Sequence, residues 1–343
     1  MNETAILLSQ TESLPFLAAI YAWGIEVIKS IQSIQSPGLT AFMNIITSLG
    51  TEYVYIVIVL LIFWCLNEKK GFSLGLLILV SAWINAVLKV LFNQPRPYSD
   101  EMIGFGLEPV LALAFEPTRA FPSGHSQMSM TFWIAIASWL SFQFAEGKKK
   151  LRPLIWSVAI LIILLIGFSR LYLGVHFPTD VLGGWIMALI VLCLFSILEK
   201  RLVPLLSKAG IRVQLVIAAA AALIMNVIHP EDTSLSAMVL GFSAGYSLMI
   251  KKYPFTAQGS SDKSYGLPIL GLRFLLGIVG AAIIYFGLRF IIPGKDSLFN
   301  ITALEPFYEL GRFIRYGLLG FWASYGAPRI FLKFGLASSP KSE

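Results

Sequence analysis

Residues 168–180 read FSRLYLGVHFPTD and place Arg170, His176 and Asp180 in a short stretch bounded on both sides by hydrocarbon. Apolar runs at 153–173 and 178–199 meet at this segment, and each is long enough to cross a bilayer as a helix. Ionisable groups at such a position are costly and mark a functional site by default. The stretch therefore reads as the junction of two spans with a polar site at their ends.

The rest of the chain supports a membrane setting. Of 343 residues, 57% are hydrophobic and only 13% are charged, and the mean hydropathy is +0.76. Those values lie outside the range of soluble globular domains. Apolar runs fall at 51–67, 72–92, 126–145, 153–173, 178–199, 213–229, 234–250 and 267–292, with a ninth at 313–332. AFMNIITSLG, just before residue 51, extends the first of them. Residues 15–36 are apolar but interrupted by Glu26, Lys29, Gln32 and Gln35, a pattern that predicts an interfacial amphipathic helix. The expected fold is an all-α polytopic membrane protein: a core bundle of about five to six spans and about three further C-terminal spans. The expected division is 1–50 for N-terminal interfacial helices, 51–200 for the core and 201–343 for a transmembrane extension. FTAQGSSDKSYG at 255–266 predicts a flexible connector within the last part. No internal repeat is evident, so an inverted-repeat transporter is not supported.

The net charge of +7 does not point to nucleic acid, because the cations sit in loops that flank spans. NEKKG at 67–71, EGKKKLR at 146–152, EKRLVPLLSKAGIR at 199–212, Lys251, Lys252, Arg329, Lys333 and Lys341 fall on one side if the spans alternate. That side is expected to be cytoplasmic. The loop 93–122, the turn 170–178, HPEDTS at 229–234 and the segment 293–312 then face outward, and His229 there reads as an ordinary surface residue. The opening MNETAILLSQTES has no basic n-region, so no removable signal peptide is expected. Cys65 and Cys193 lie in separate spans, and no disulfide is expected.

Three polar stretches fall on the outer side at span ends. In KVLFNQPRP, Lys89 lies in the last turns of a helix, and Pro95 and Pro97 break that helix so that Arg96 can fold back toward it. FPSGHS at 121–126 has the composition of a helix start, and its free N–H groups beside His125 suit an anion. In the third stretch His176 and Asp180 are i and i+4, so on a helix they share a face. A carboxylate there takes the proton of one ring nitrogen and leaves the other as a base or nucleophile. Taken singly, each cation reads as a snorkelling side chain. Convergence at one depth on one side is what favours a site.

These residues match a family signature in full: K-x6-R-P at Lys89, Arg96 and Pro97; P-S-G-H at Pro122, Ser123, Gly124 and His125; S-R-x5-H-x3-D at Ser169, Arg170, His176 and Asp180. The chain resembles the type 2 phosphatidic acid phosphatase (PAP2) superfamily over about residues 50–200. The resemblance implies that His176 attacks phosphorus to give a phosphohistidine, that Asp180 sets its tautomer, and that His125 serves as general acid and then base. It further implies that Lys89, Arg96, Ser123, Gly124 and Arg170 bind the phosphoryl oxygens. It implies no metal and no other cofactor.

The expected substrate is a lipid phosphate or lipid diphosphate at the outer leaflet, of the phosphatidic acid, phosphatidylglycerophosphate or undecaprenyl pyrophosphate type. A bacterial inner membrane with the site facing the periplasm is the expected location. The count of nine spans also resembles the glucose-6-phosphatase branch, so a soluble sugar phosphate stays open as an alternative, as does a non-catalytic phospholipid transporter. Glu116 and Arg119, in the long outer loop, are candidates for head-group selection.

Overall fold

The computed structural model describes residues 15–143, 150–260, 263–291 and 307–339. The expectations for the N-terminus, for most of the basic run 146–152, for most of the outer segment 293–312 and for Lys341 fall outside them. The fold is all-α; among the described residues strand pairing is limited to Gly259–Ser260 against Lys263–Ser264 and a bridge between Thr256 and Ser338. Among the described residues, five helices are long and apolar enough to cross a membrane: α4 (Glu68–Phe92), α6 (Leu151–Tyr172), α7 (Pro178–Lys208), α8 (Ile211–Ile228) and α10 (Leu267–Ile291). The protein is a multi-pass integral membrane protein.

The chain divides into two compact units that interleave in sequence, one of residues 1–55 and 84–194, the other of 56–83 and 195–343. In the first, α1 (Pro15–Gln32) turns Tyr21, Ile25 and Ile28 inward, where they join Met102, Val110 and Phe177 in one buried cluster. Helix α2 (Pro37–Ser48) starts on signals visible in the sequence, with Pro37 in the first turn and the Ser36 hydroxyl accepting the Leu39 N–H at 3.3 Å. Helix α5 (Gly124–Gln143) forms where the span 126–145 was expected, but Ser126, Gln127, Ser129, Thr131 and Ser141 are all buried along it. This inward polarity leaves α5 less apolar than the five helices above.

Several expected spans take a different local form. The run 51–67 does not continue α2: the chain breaks at residues 49–51 and α3 (Glu52–Leu61), with a π-helical turn Ile62–Leu66, leaves at 47°. Asn67 then caps α4, its Oδ1 accepting the Lys70 N–H at 2.9 Å. The expected ninth span 313–332 is α11 (Tyr308–Phe321), a π-helical turn Trp322–Gly326 and α12 (Ala327–Lys333) in succession. The expected span 234–250 is α9 (Ser234–Lys252), and it lies so close to α11 that a Cβ on Gly241 would stand 1.9 Å from the Gly317 carbonyl.

In the second unit Phe63, Trp64, Met249, Phe255, Ala327 and Phe331 form the core. Arg273 is fully buried and donates to the carbonyls of Leu336 at 2.7 Å, Ala257 at 2.7 Å and Trp64 at 3.2 Å. The connector from 255 is accordingly anchored, and this corrects the expectation of a flexible loop: Phe255 and Ala257 are buried, and the Ala257 N–H donates to Glu68 at 3.0 Å. His229 is likewise buried rather than superficial, at the C-terminal cap of α8. Cys65 and Cys193 are free thiols.

Candidate active site

All three polar stretches belong to the first unit, and the backbone explains how each reaches the same place. Helix α4 ends at Phe92, and Asn93 follows in the left-handed region with φ 46°. Asparagine tolerates that conformation, and Pro95 and Pro97 keep the next residues extended. Arg96 is thereby turned inward and is 5% exposed. Its Nε donates to the Thr118 carbonyl at 2.8 Å and its Nη1 to the Val175 carbonyl at 2.8 Å.

The turn holding His176 depends on Gly174, whose φ is +70° and whose absent Cβ would meet the Leu111 carbonyl at 2.4 Å. Only glycine satisfies both conditions without strain. Helix α7 then opens on Pro178 with Asp180 in its first turn, favourable for a carboxylate. The Asp180 Oδ2 accepts the Phe177 N–H at 2.8 Å and stands 3.2 Å from His176 Nδ1. Neither His176 nor Asp180 has any exposed surface.

On its other side His176 Nε2 lies 3.1 Å from Arg96 Nη1. A guanidinium only donates and an ionised carboxylate only accepts, so both neighbours fit one tautomer: protonated at Nδ1, with a lone pair on Nε2. Burial pushes the imidazole below its ordinary pKa, outweighing the raising effects of Asp180 and Glu116. His176 is therefore neutral near pH 7.

The start of α5 is tied to the same turn. The Ser123 N–H donates to the Asp180 carbonyl at 3.0 Å, and its Oγ accepts from the Ser126 hydroxyl at 3.0 Å. Asn85, one turn before Lys89, donates to the Pro122 carbonyl at 3.2 Å and to Gln127 Oε1 at 2.9 Å, and its own oxygen faces Gly124. Arg170, 2% exposed, reaches across from the last turn of α6 to the Thr47 hydroxyl. Lys89 directs its ammonium to the Arg119 carbonyl, and Arg119 pairs with Glu101 at 2.8 Å. Ser169 turns back to the Ile166 carbonyl and does not face the others.

At the centre of this group is a residue outside all three motifs. Glu116 Oε2 pairs with Arg96 Nη2 at 2.7 Å and lies 3.5 Å from His176 Nε2. Its Oε1 pairs with Arg170 Nη2 and lies 3.5 Å from His125 Nδ1. Burial alone would raise its pKa, yet the His176 ring beside it and the charges of Arg170 and Arg96 hold the carboxyl well below the usual carboxylate range. Tyr98 fixes its backbone on both sides, accepting the Glu116 N–H at 3.2 Å and donating to the Glu116 carbonyl at 2.9 Å. The sequence offered only one sign of this arrangement, a carboxylate in the long loop 93–122, which also holds Asp100, Glu101 and Glu108. Thr47, Asn85 and Tyr98 carried none.

Residues 70–204 match the PAP2 superfamily, and residues 233–339 match the PAP2 superfamily phosphatase transmembrane extension. The chain belongs to the PAP2 superfamily. It is a phosphoric ester hydrolase of that family, extended at its C-terminus by the companion membrane module. Among curated relatives, an undecaprenyl-diphosphatase of Sulfolobus acidocaldarius is 28% identical over 171 residues, 48% of this chain and 73% of the relative. Phosphatidylglycerophosphatase B of Bacillus subtilis is 29% identical over 180 residues, 51% of this chain and 83% of the relative. A solved transmembrane PAP2-type phosphatidylglycerolphosphate phosphatase from Bacillus subtilis is 27% identical, covering 58% of this chain and 92% of its own, with a TM-score of 0.45.

Proposed function

We propose that this PAP2 enzyme hydrolyses the phosphomonoester or diphosphate of a membrane lipid through a phosphohistidine on His176, without a metal. The observation that carries the reading is the geometry about His176, with Nδ1 3.2 Å from Asp180 and Nε2 facing Arg96 at 3.1 Å and the Glu116 carboxylate that joins Arg96, Arg170 and His125. Support for a lipid substrate comes from the two relatives, whose names specify lipid phosphates, and from the site's place at span ends. There a head group reaches the site while its chains stay among helices.

In the first step the Nε2 lone pair attacks phosphorus, and the bond from phosphorus to the lipid oxygen breaks. His125 gives a proton to the departing oxygen. Asp180 steadies the Nδ1–H of the imidazolium that forms. Arg96 and Arg170, with Lys89, Ser123 and the Gly124 N–H, neutralise the equatorial oxygens, the part that metal ions play in many phosphoryl transfers. In the second step water loses a proton to His125 and attacks phosphorus, the P–N bond breaks, and inorganic phosphate leaves. On this reading residues 51–200 carry the chemistry, 201–343 form the extension, and the site opens to the outer face of a bacterial inner membrane.

The test is a comparison of four substrates in detergent with chelator present: phosphatidic acid, phosphatidylglycerophosphate, undecaprenyl pyrophosphate and glucose 6-phosphate. Phosphate release from a lipid, abolished by His176→Ala in a protein that still purifies as a single species, is the expected result. Release from glucose 6-phosphate alone defeats the lipid assignment, and release from none defeats the enzymatic one.

A further inference from the structure

We propose that Glu116 is an internal surrogate for the phosphoryl group, and that it selects dianionic head groups over the monoanionic phosphodiesters of the surrounding lipid. The inference rests on the phosphatase reading above and concerns how the same site chooses its ligand.

Geometry is the first support. The Glu116 carboxylate takes one oxygen to Arg96 and the other to Arg170, and stands 3.5 Å from both His125 Nδ1 and His176 Nε2. In the proposed reaction Arg96 and Arg170 grip the phosphoryl group, His176 attacks it and His125 exchanges the proton. Reacting atoms must approach to about 3–3.5 Å, so Glu116 Oε2 occupies the space the phosphorus needs. Carboxylate and phosphoryl group exclude one another.

Charge is the second. Arg96 and Arg170 are two permanent cations, and one carboxylate balances only half of them. A phosphomonoester or terminal diphosphate brings roughly −1.5 to −2 at neutral pH, and so gains by the exchange. A phosphodiester brings a single charge, the same as the group it must evict, and gains nothing. The tether adds to this discrimination, since a group held on the same chain competes at an effective concentration on the order of millimolar. A membrane enzyme bathed in phosphodiesters benefits from a competitor of that strength, which is selection by disfavouring the wrong ligand.

The third support is a route of withdrawal. Tyr98 pins the Glu116 backbone at 3.2 and 2.9 Å while the side chain remains 20% exposed. The carboxylate can therefore swing to water about its own torsions without moving the loop.

The experiment uses the full-length protein in detergent and the variant Glu116→Gln, which keeps the volume and removes the charge. Calorimetric titration with inorganic phosphate should give at least a five-fold tighter dissociation constant for the variant. Phosphatidylglycerol in mixed micelles should leave wild-type hydrolysis of phosphatidic acid unchanged and inhibit the variant competitively. Glu116→Asp, which retains the charge on a shorter arm, should fall between the two in both measurements. Equal phosphate affinity in wild type and Glu116→Gln overturns the proposal, as does a fall in kcat with no gain in anion affinity. Tighter phosphate binding by Glu116→Gln in a protein that hydrolyses none of the four substrates upholds the surrogate and defeats only the phosphatase reading.

Discussion

Asp180 holds His176 Nδ1 and the Phe177 N–H with the same oxygen, Oδ2, at 3.2 and 2.8 Å. One atom thus orients the imidazole and anchors the backbone beside it. Asp180→Asn presents either an amide NH2, which repels Nδ1–H, or a carbonyl that lacks the charge to steady an imidazolium. The expected loss in kcat is about 10²–10⁴-fold, in the range seen when an orienting carboxylate is neutralised. Acid-quenched samples of the variant should hold correspondingly little phosphohistidine by phosphorus NMR.

The pH profile follows from the depressed pKa of His176. The unfolded imidazole binds a proton below its ordinary value of 6.5, whereas the buried one resists protonation until a lower pH. Stability from this group is therefore complete above 6.5 and is lost as pH falls through the lowered value. Glu116 acts in the same direction at lower pH, its contribution present above the ordinary 4.5 and lost further down. Asp180, Glu116 and Arg96 are the charged groups facing the imidazole. Thermal melts in detergent should show Tm falling between pH 7 and 5, with a shallower slope in His176→Asn. The acid limb of kcat/KM should lie below 6.5, and a limb above it would contradict the buried neutral imidazole.

Arg96 joins five partners, the carbonyls of Thr118, Arg119 and Val175, the Thr118 hydroxyl and Glu116, besides His176. Lysine has one nitrogen on a flexible stem and cannot reproduce a planar fork. Arg96→Lys is expected to lower kcat/KM by about 10²–10³-fold, the cost of removing a preorganised donor at developing charge. Steady-state kinetics on micellar substrate provide the check.

Gly174→Ala combines a left-handed φ of +70° with a clash 2.4 Å from the Leu111 carbonyl. The expected cost is about 1–3 kcal/mol, read as a lower Tm. Because the turn also aims His176, kcat should fall even at temperatures where the variant is fully folded.

The motifs were legible because the chemistry demands charged and imidazole side chains where hydrocarbon is the rule, so Lys89, Arg96, His125, Arg170, His176 and Asp180 stand out against their flanks. The long apolar helices α4, α6, α7, α8 and α10 were legible for the same reason. Helices α5 and α9 are less apolar because serines line their buried sides, and hydropathy cannot distinguish a polar inward face from a weak span. The break between α2 and α3 depends on how residues 49–51 pack, which no periodicity records. Glu116 was visible only as a carboxylate in a loop, since its partners come from positions 96, 125, 170 and 176 and proximity in space leaves no mark along the chain. Arg273 is likewise held by the carbonyls of Trp64, Ala257 and Leu336, a surrounding that the sequence about position 273 does not record.

The interleaving of the two compact units bears on how such a protein can be shortened. Residues 56–83 complete their packing with 195–343: the Trp64 indole donates to the Ala323 carbonyl at 2.8 Å, and the Trp64 and Phe63 rings meet Phe331 and Phe242. A stop codon at 201 would leave an early segment of the chain without the surface it folds against. During synthesis Trp64 leaves the ribosome long before Ala323 and Phe331 exist, so this stretch completes its packing only near the end of translation.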